Sequence, residues 1–175
     1  ENNTLHPAIC PTQSSNYQNT YDLHLAWAGL DPTKITDKTP DWFLTDREKK
    51  WAEHRRKDWG PYVLLQPFAS SPARSYMRIS PVMQELANRG VKVILWNPGL
   101  SQWQINGGSI PTPEGMDGYR QSGALISRAD LLISADTFVS HVAEALGVPH
   151  ITWSSTVPAW TRSRDYINEI TIDLE

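Results

Sequence analysis

The 175-residue sequence holds one cysteine, Cys10. A lone thiol forms no internal disulfide and no cysteine-based zinc site, and it points to a reducing compartment. No apolar run approaches the ~18 residues of a membrane span, and the N-terminus lacks the basic-then-apolar pattern of a secretory leader. There is no basic excess either. Sixteen Lys and Arg against nineteen Asp and Glu leave a net charge of −3, which argues against a nucleic-acid coat. The sequence has no Gly-x-Gly-x-x-Gly fingerprint, no Walker loop and no Gly-x-Ser-x-Gly elbow. It has no Asp-x-Asp, and its five histidines show no paired spacing, so neither a catalytic metal nor another cofactor is expected. It starts at Glu1 without methionine and stops at Glu175 as a strand finishes, so the expectation is a fragment of a longer protein.

Hydrophobic residues at 39% and charged residues at 20% are compatible with a buried core. Thirteen prolines imply many hard stops between elements. The reading divides at the start of the apolar strands. Residues 1–58 form an irregular N-terminal arm and a connecting segment, with a short apolar helix near Tyr21–Leu30. Thr45-Asp46-Arg47-Glu48 has capping-box spacing and predicts a helix from about Asp46 to Lys57. Residues 59–175 change grammar. Continuous apolar runs at Tyr62–Leu65, Val91–Trp96, Leu131–Ser134 and His150–Trp153 read as strands buried on both faces, with Ile170–Leu174 an edge strand. Helices intervene: one opened by Ser80-Pro81 and closed by Gly90, one marked by Met116, Tyr119, Gly123 and Ile126, and one from Ser140 to Leu146. Asn106 to Gly115 reads as loop. The alternation predicts a Rossmann-like, doubly wound parallel α/β sheet, whose ligands bind beyond the carboxyl ends of the strands.

The strongest local signal runs from Ala129-Asp130 through an apolar strand to Asp136-Thr137-Phe138-Val139-Ser140-His141 and on to Leu146-Gly147-Val148-Pro149. A buried strand ends in a polar turn that opens a helix, and helix-start amides favour anions. Thr137, Ser140 and His141 can add donors, while Asp136 suits the turn or a sugar hydroxyl. Ordinary capping by Asp136, Thr137 or Ser140 is the alternative reading of the same residues.

This block resembles glycosyltransferase family nine, the family of lipopolysaccharide heptosyltransferases, in its C-terminal half. There an Asp-Thr-Gly-x-x-His motif precedes a helix ending in leucine-glycine-x-proline. Asp136, Thr137 and His141 match, and Phe138 stands where the family has glycine. The resemblance extends over residues 20–175. Leu64–Ser70 looks like the first strand and phosphate loop, with Ser70 beside it and Arg74 nearest to the family's lysine. Family members carry a ribose-binding carboxylate after the second strand. Trp96–Trp103 has none, although Asn97 or Gln102 could substitute and Trp96 and Trp103 could stack on a base. Arg162 and Arg164 could reach a diphosphate, with Asp165 present to pair with them.

The resemblance implies the nucleotide-sugar-binding half of a two-domain GT-B glycosyltransferase. The donor would be an ADP-heptose-like nucleotide sugar, bound by Thr137, His141, Asp136, Ser140, Ser70 and Arg74, with Asp136 at the turn or a sugar hydroxyl and not at phosphate. Transfer would invert the anomeric centre without a metal, toward a cell-envelope glycan or lipid-linked acceptor held by the missing half, which would also supply the general base. This chain alone would bind a nucleotide and transfer nothing. An exposed inter-domain face would permit self-association. The resemblance implies a cytoplasmic location, peripheral at the inner membrane face. Two rivals remain: a non-catalytic nucleotide-binding or interaction module, and another GT-B enzyme such as a sugar-nucleotide epimerase.

Overall fold

The computed structural model describes residues 20–36, 40–70, 74–97, 99–154 and 169–173. Its described residues fall into two compact units, 20–36 in one and 40–154 with 169–173 in the other. The first holds helix α1 (Thr20–Trp27) and a 3₁₀ turn at Pro32–Lys34, capped by Asp31, whose carboxylate accepts from the Thr33 amide.

The second unit is built on a seven-stranded sheet. Its elements are α2 (Asp46–Trp59), β1 (Val63–Gln66), α3 (Ile79–Asn88), β2 (Val93–Asn97), β3 (Gln102–Ile105), β4 (Gly108–Ser109), α4 (Gly118–Ile126), β5 (Leu131–Ala135), α5 (Phe138–Ala145), β6 (His150–Ser154) and β7 (Glu169–Asp173). The strand order is β4-β3-β2-β1-β5-β6-β7. From β2 to β7 all neighbours are parallel, and β1 lies inside the sheet between β2 and β5.

Alternate residues of the central strands feed two cores, as strand geometry requires. Leu64, Ile94 and Leu132 face one core with Leu125 and Ile126 of α4 and Val139, Val142 and Ala143 of α5. Val63, Leu65, Ile133 and Ala135 face the other, where Ile79, Met83 and Leu86 of α3 pack. Helices therefore cover both faces, and the expected doubly wound architecture is present.

Two sequence expectations need correction. The segment after β2 is an antiparallel meander at the sheet edge, pairing Trp96 with Trp103 and Gln104 with Ser109. Its turn, Asn106-Gly107, has positive φ at both residues (51° and 78°), the geometry that Asn-Gly serves in tight hairpins. Asn106–Gly115 is thus not wholly loop. Ser80-Pro81 also does not open α3. That helix begins at Ile79, its N-cap Arg78 makes no side-chain cap bond, and Pro81 occupies the first turn, where its missing amide costs nothing.

The α2 helix lies in the sheet-bearing unit. Its capping box forms as expected between Thr45 and Glu48. Arg120 of α4 then grips the Glu48 carboxylate at 2.6 and 2.5 Å and the Phe43 carbonyl at 2.6 Å, with its guanidinium 5.2 Å from the Trp42 ring centre. Gly123 lets Trp42 approach α4, since a Cβ there would lie 2.3 Å from Trp42 Nε1. At the opposite end of the sheet, Asp130 takes both arms of Arg56 and the Tyr62 amide. The Asp130 of the sequence motif therefore ties α2 to the foot of β1, away from the strands' carboxyl ends.

Candidate functional site

The chain leaves β1 toward β2 and leaves β5 toward β6, so the carboxyl ends of β1 and β5 flank a switch point where an open α/β sheet forms a crevice. A cavity of about 760 Å³ lies there. Its walls come from the loops after β1 and β5, the end of β2 and the first turn of α4.

Thr137 is the N-cap residue of α5 and has the extended backbone of a cap (φ −148°, ψ 179°), yet its side chain makes no cap bond. The hydroxyl instead donates to Gln66 Oε1 at 2.8 Å. Gln66 is buried, and its Nε2 donates to the Phe68 carbonyl at 2.8 Å. One buried amide thus joins the loop after β1 to the turn after β5. Thr137 therefore does not cap α5, whose start is the positive end of the helix. Across the cavity wall Arg74 donates to Ser70 Oγ at 2.6 Å, which fixes a guanidinium at the same crevice.

The candidates separate on this geometry. Asp136, Thr137, Ser70 and Arg74 all line the cavity. Ser140 does not: it is wholly buried, and its hydroxyl donates back to the Thr137 carbonyl at 2.8 Å. The reason is the helix start, which falls at Phe138, two residues earlier than the sequence suggested, so Ser140 sits inside the first turn. His141 is half-buried on α5 and lies outside the cavity wall. Arg162, Arg164 and Asp165 lie outside the described residues.

Aromatic rings shape the rest. Trp103 is fully buried and donates Nε1 to Ser122 Oγ at 2.9 Å, and Ser122 donates in turn to the Gly118 carbonyl at 2.8 Å. Trp103 is therefore a core residue. Trp96 packs edge-on to it at 5.4 Å and is the one of the two with an accessible surface. Asn97 is committed to its own turn: its Oδ1 accepts from Gly99 and Leu100, and its Nδ2 donates to Gln104. Gln102 is not among the cavity residues. Asn97 is likewise absent from the cavity wall.

The structure adds three residues that sequence reasoning missed. Gln66 is one. Asp117, the N-cap of α4, accepts the Arg120 amide at 2.7 Å through Oδ1 and lines the cavity. Tyr119 is 64% exposed there and packs edge-on to Phe138 at 5.0 Å. Asp117-Gly118 before a periodic apolar stretch is a helix-start signal, but nothing in the sequence ties that start to the turn after β5.

The α4 wall is firmly held. The hydrogen bonds from Arg120 keep the Glu48 carboxyl well below its usual range, at about 2, despite its burial. Among the described residues no group of three or more His, Cys, Asp or Glu could hold a metal ion. No described helix is long and apolar enough to cross a membrane.

With this geometry in hand, comparison with known proteins is informative. Residues 118–169 match the family model for glycosyltransferase family 9 (heptosyltransferase), a span that runs from α4 through the Asp136-Thr137 turn to the start of β7. The resemblance carried by Asp136 to Pro149 is therefore borne out. No curated protein matches the sequence. Among solved structures, the chain is similar to the glycosyl transferase family 9 protein of Veillonella parvula (TM-score 0.68, 14% identity, covering 92% of this chain and 50% of that one). It is also similar to the E. coli heptosyltransferase WaaC with ADP (0.55, 17%, 85% and 49%) and to E. coli ADP-heptose lps heptosyltransferase II (0.53, 15%, 81% and 48%). At such identities the likeness establishes the fold alone, a Rossmann-like α/β sheet. The chain spans about half the length of these proteins.

Proposed function

We propose that this chain is the donor-binding half of a heptosyltransferase-like glycosyltransferase and that its cavity holds the diphosphate of a nucleotide sugar. The observation that carries the reading is the start of α5 at the switch point, which the side chain of its N-cap residue does not cap. Thr137 hands its hydroxyl to Gln66, and Arg74 faces the same crevice from the opposite loop. Helix-start amides and a guanidinium together suit phosphate oxygens. The family match spans this turn, and structural relatives include one described with ADP.

In the proposed reaction an acceptor hydroxyl attacks the anomeric carbon of the donor. The new C–O bond forms as the bond to the diphosphate breaks, with inversion, and a base in the other half takes the hydroxyl proton. This chain's part is electrostatic. The α5 amides and Arg74 take up the charge that builds on the leaving diphosphate, and Thr137, held by Gln66, shapes the turn that presents them. Asp136, being anionic, serves a sugar hydroxyl or the turn. An ADP-heptose-like donor, an envelope glycan or lipid-linked acceptor on the other half, a location peripheral to the inner membrane face, and self-association through the inter-domain face complete the proposal.

Calorimetry with ADP and adenosine tests it. A hydrogen bond to a charged group is worth about 1.5–3 kcal/mol, or roughly 10- to 150-fold in affinity. Arg74→Ala should weaken ADP by that order and adenosine far less. Equal small losses for both ligands would reject the diphosphate site.

A further inference from the structure

Arg74 reaches the crevice from a loop whose two sides are laced together. Its Nη2 donates to Ser70 Oγ at 2.6 Å. One residue on, the half-buried Ser75 turns its hydroxyl to the backbone of Ala69. Ser75 Oγ accepts from the Ala69 amide at 2.9 Å and donates to the Ala69 carbonyl at 3.4 Å. Next, the Tyr76 amide donates to the Pro67 carbonyl at 2.8 Å, and the Tyr76 ring packs 5.1 Å from the Trp153 ring on β6. Three successive residues, Arg74, Ser75 and Tyr76, thus pair with Ser70, Ala69 and Pro67. Ala69, Ser70 and Arg74 line the cavity, whereas Ser75 does not.

We infer that Ser75 is a positioning residue for the phosphate site. Its hydroxyl holds the Ala69–Ser70 backbone against the Arg74 side of the loop, so that the guanidinium stands in place before a ligand arrives. This rests on the diphosphate reading above and says how that site is made ready.

The chemistry shows why one hydroxyl outside the cavity matters. A guanidinium carries five N–H donors in a rigid fork, so one bond to Ser70 orients it and leaves other donors for phosphate oxygens. That bond orients Arg74 only while Ser70 itself is fixed. Tyr76 and Ala69 pack against the second core, which anchors the loop on the sheet side. The Ser75 rung carries that anchorage one step further, to the residue beside Ser70. A hydroxyl suits the place, because one oxygen can accept from an amide and donate to a carbonyl. Without the rung, Arg74 must be ordered at the moment of binding, and that entropy is subtracted from affinity.

The test is calorimetry of the 175-residue chain with ADP and adenosine, on wild type, Ser75→Ala, Ser75→Thr, Arg74→Ala and the double alanine variant. Ser75→Ala should weaken ADP roughly 3- to 10-fold, the effect of one lost hydrogen bond, and leave adenosine unchanged. Ser75→Thr keeps the hydroxyl and should restore wild-type ADP binding. In the Arg74→Ala background Ser75→Ala should cost nothing further, because the group it positions is gone. Amide hydrogen exchange on the ligand-free chain gives a reading independent of ADP. The Ala69 amide should exchange faster in Ser75→Ala and as in wild type in Ser75→Thr. Unchanged ADP affinity in Ser75→Ala, an equal loss of adenosine, or a loss that persists without Arg74 would overturn the positioning role. If Arg74→Ala then still weakens ADP selectively, the diphosphate reading stands alone. If Arg74→Ala binds ADP like wild type, the diphosphate reading fails and the positioning role falls with it.

Discussion

Thr137 and Gln66 face each other across the switch point, with the threonine hydroxyl donating to the glutamine carbonyl oxygen at 2.8 Å. An N-cap threonine ordinarily turns its oxygen back to the amides of its own helix. Here the hydroxyl is directed to the neighbouring strand, and Thr137 does not cap its own helix. The same bond ties the two loops that bracket the cavity, so the site's shape and its charge preference share one contact.

The first prediction concerns Gln66→Met, which keeps the volume and removes both hydrogen bonds of the amide. Freed from its partner, Thr137 can rotate and cap α5. Capping returns about 1 kcal/mol, so the net loss of stability should stay within about 1–2 kcal/mol. The cap then competes with phosphate, and ADP affinity should fall roughly 10-fold. Adding Thr137→Ala to Gln66→Met removes the competing cap and should restore most of the lost affinity. Additive losses in a calorimetric double-mutant cycle would show that the two residues act separately.

A second prediction follows from Glu48. Its carboxyl is lowered from 4.5 to about 2, first by the hydrogen bonds from Arg120 and then by those from Thr45, against the opposing effect of burial. A depressed folded-state value means that the unfolded chain binds more protons as pH falls. The stabilisation is complete above about pH 4.5 and drains away toward pH 2. Asp130, lowered by Arg56, adds in the same direction. Glu48→Gln should therefore lower the melting temperature at pH 7, with a loss of about 2–3 kcal/mol, and flatten the acid limb between pH 4.5 and 2. Melting curves across that range check it, and parallel wild-type and variant limbs would refute it.

The sheet was legible because buried parallel strands are unbroken apolar runs. Tyr62–Leu65 and Leu131–Ser134 differ from the observed β1 and β5 by a single residue at one or both ends. The edge meander was not, because Gln102–Ile105 alternates like any exposed segment and β4 has only two residues. Asn106-Gly107 was the available signal. At the site, Thr137 and Asp136 could be read from a local strand-turn-helix pattern. Gln66, Asp117 and Tyr119 owe their roles to strand order, which places residues far apart in sequence around one crevice, and no local pattern encodes that. Ser140 reads as a helix start in the sequence, while a helix begun two residues earlier turns it inward.

Gly123 gives a third prediction. Alanine in an α-helix interior is ordinarily better than glycine by about 1 kcal/mol. Here the added methyl would meet Trp42 Nε1 at 2.3 Å and Cε2 at 2.8 Å. Overpacking should outweigh propensity, so Gly123→Ala should destabilise by about 1–3 kcal/mol. Trp42→Leu should convert the same substitution from harmful to neutral or favourable, because it removes the indole that the methyl would strike. Chemical denaturation of the four proteins of the cycle reads this directly, and a stabilising Gly123→Ala in the wild-type background would contradict it.

The last prediction separates the sheet's stability from the site it carries. Ser134 of β5 and Thr152 of β6 are direct neighbours in register, and Gln66 of β1 is the next residue along that row. Both hydroxyls are wholly buried and have no hydrogen-bond partner among the described residues, whereas Gln66 is satisfied by Thr137 and Phe68. A buried polar group without a partner costs about 1–3 kcal/mol, and an apolar isostere removes that cost without opening a cavity. Thr152→Val should therefore raise stability by about 1 kcal/mol or more, and Ser134→Ala should be neutral to stabilising. Neither residue lines the cavity, so ADP affinity should be unchanged in both. Denaturant melts and ADP titrations on the two variants decide it. A destabilised Thr152→Val would mean that its hydroxyl is satisfied in solution, and altered ADP affinity would mean that the row beneath α5 helps to hold the helix start in place.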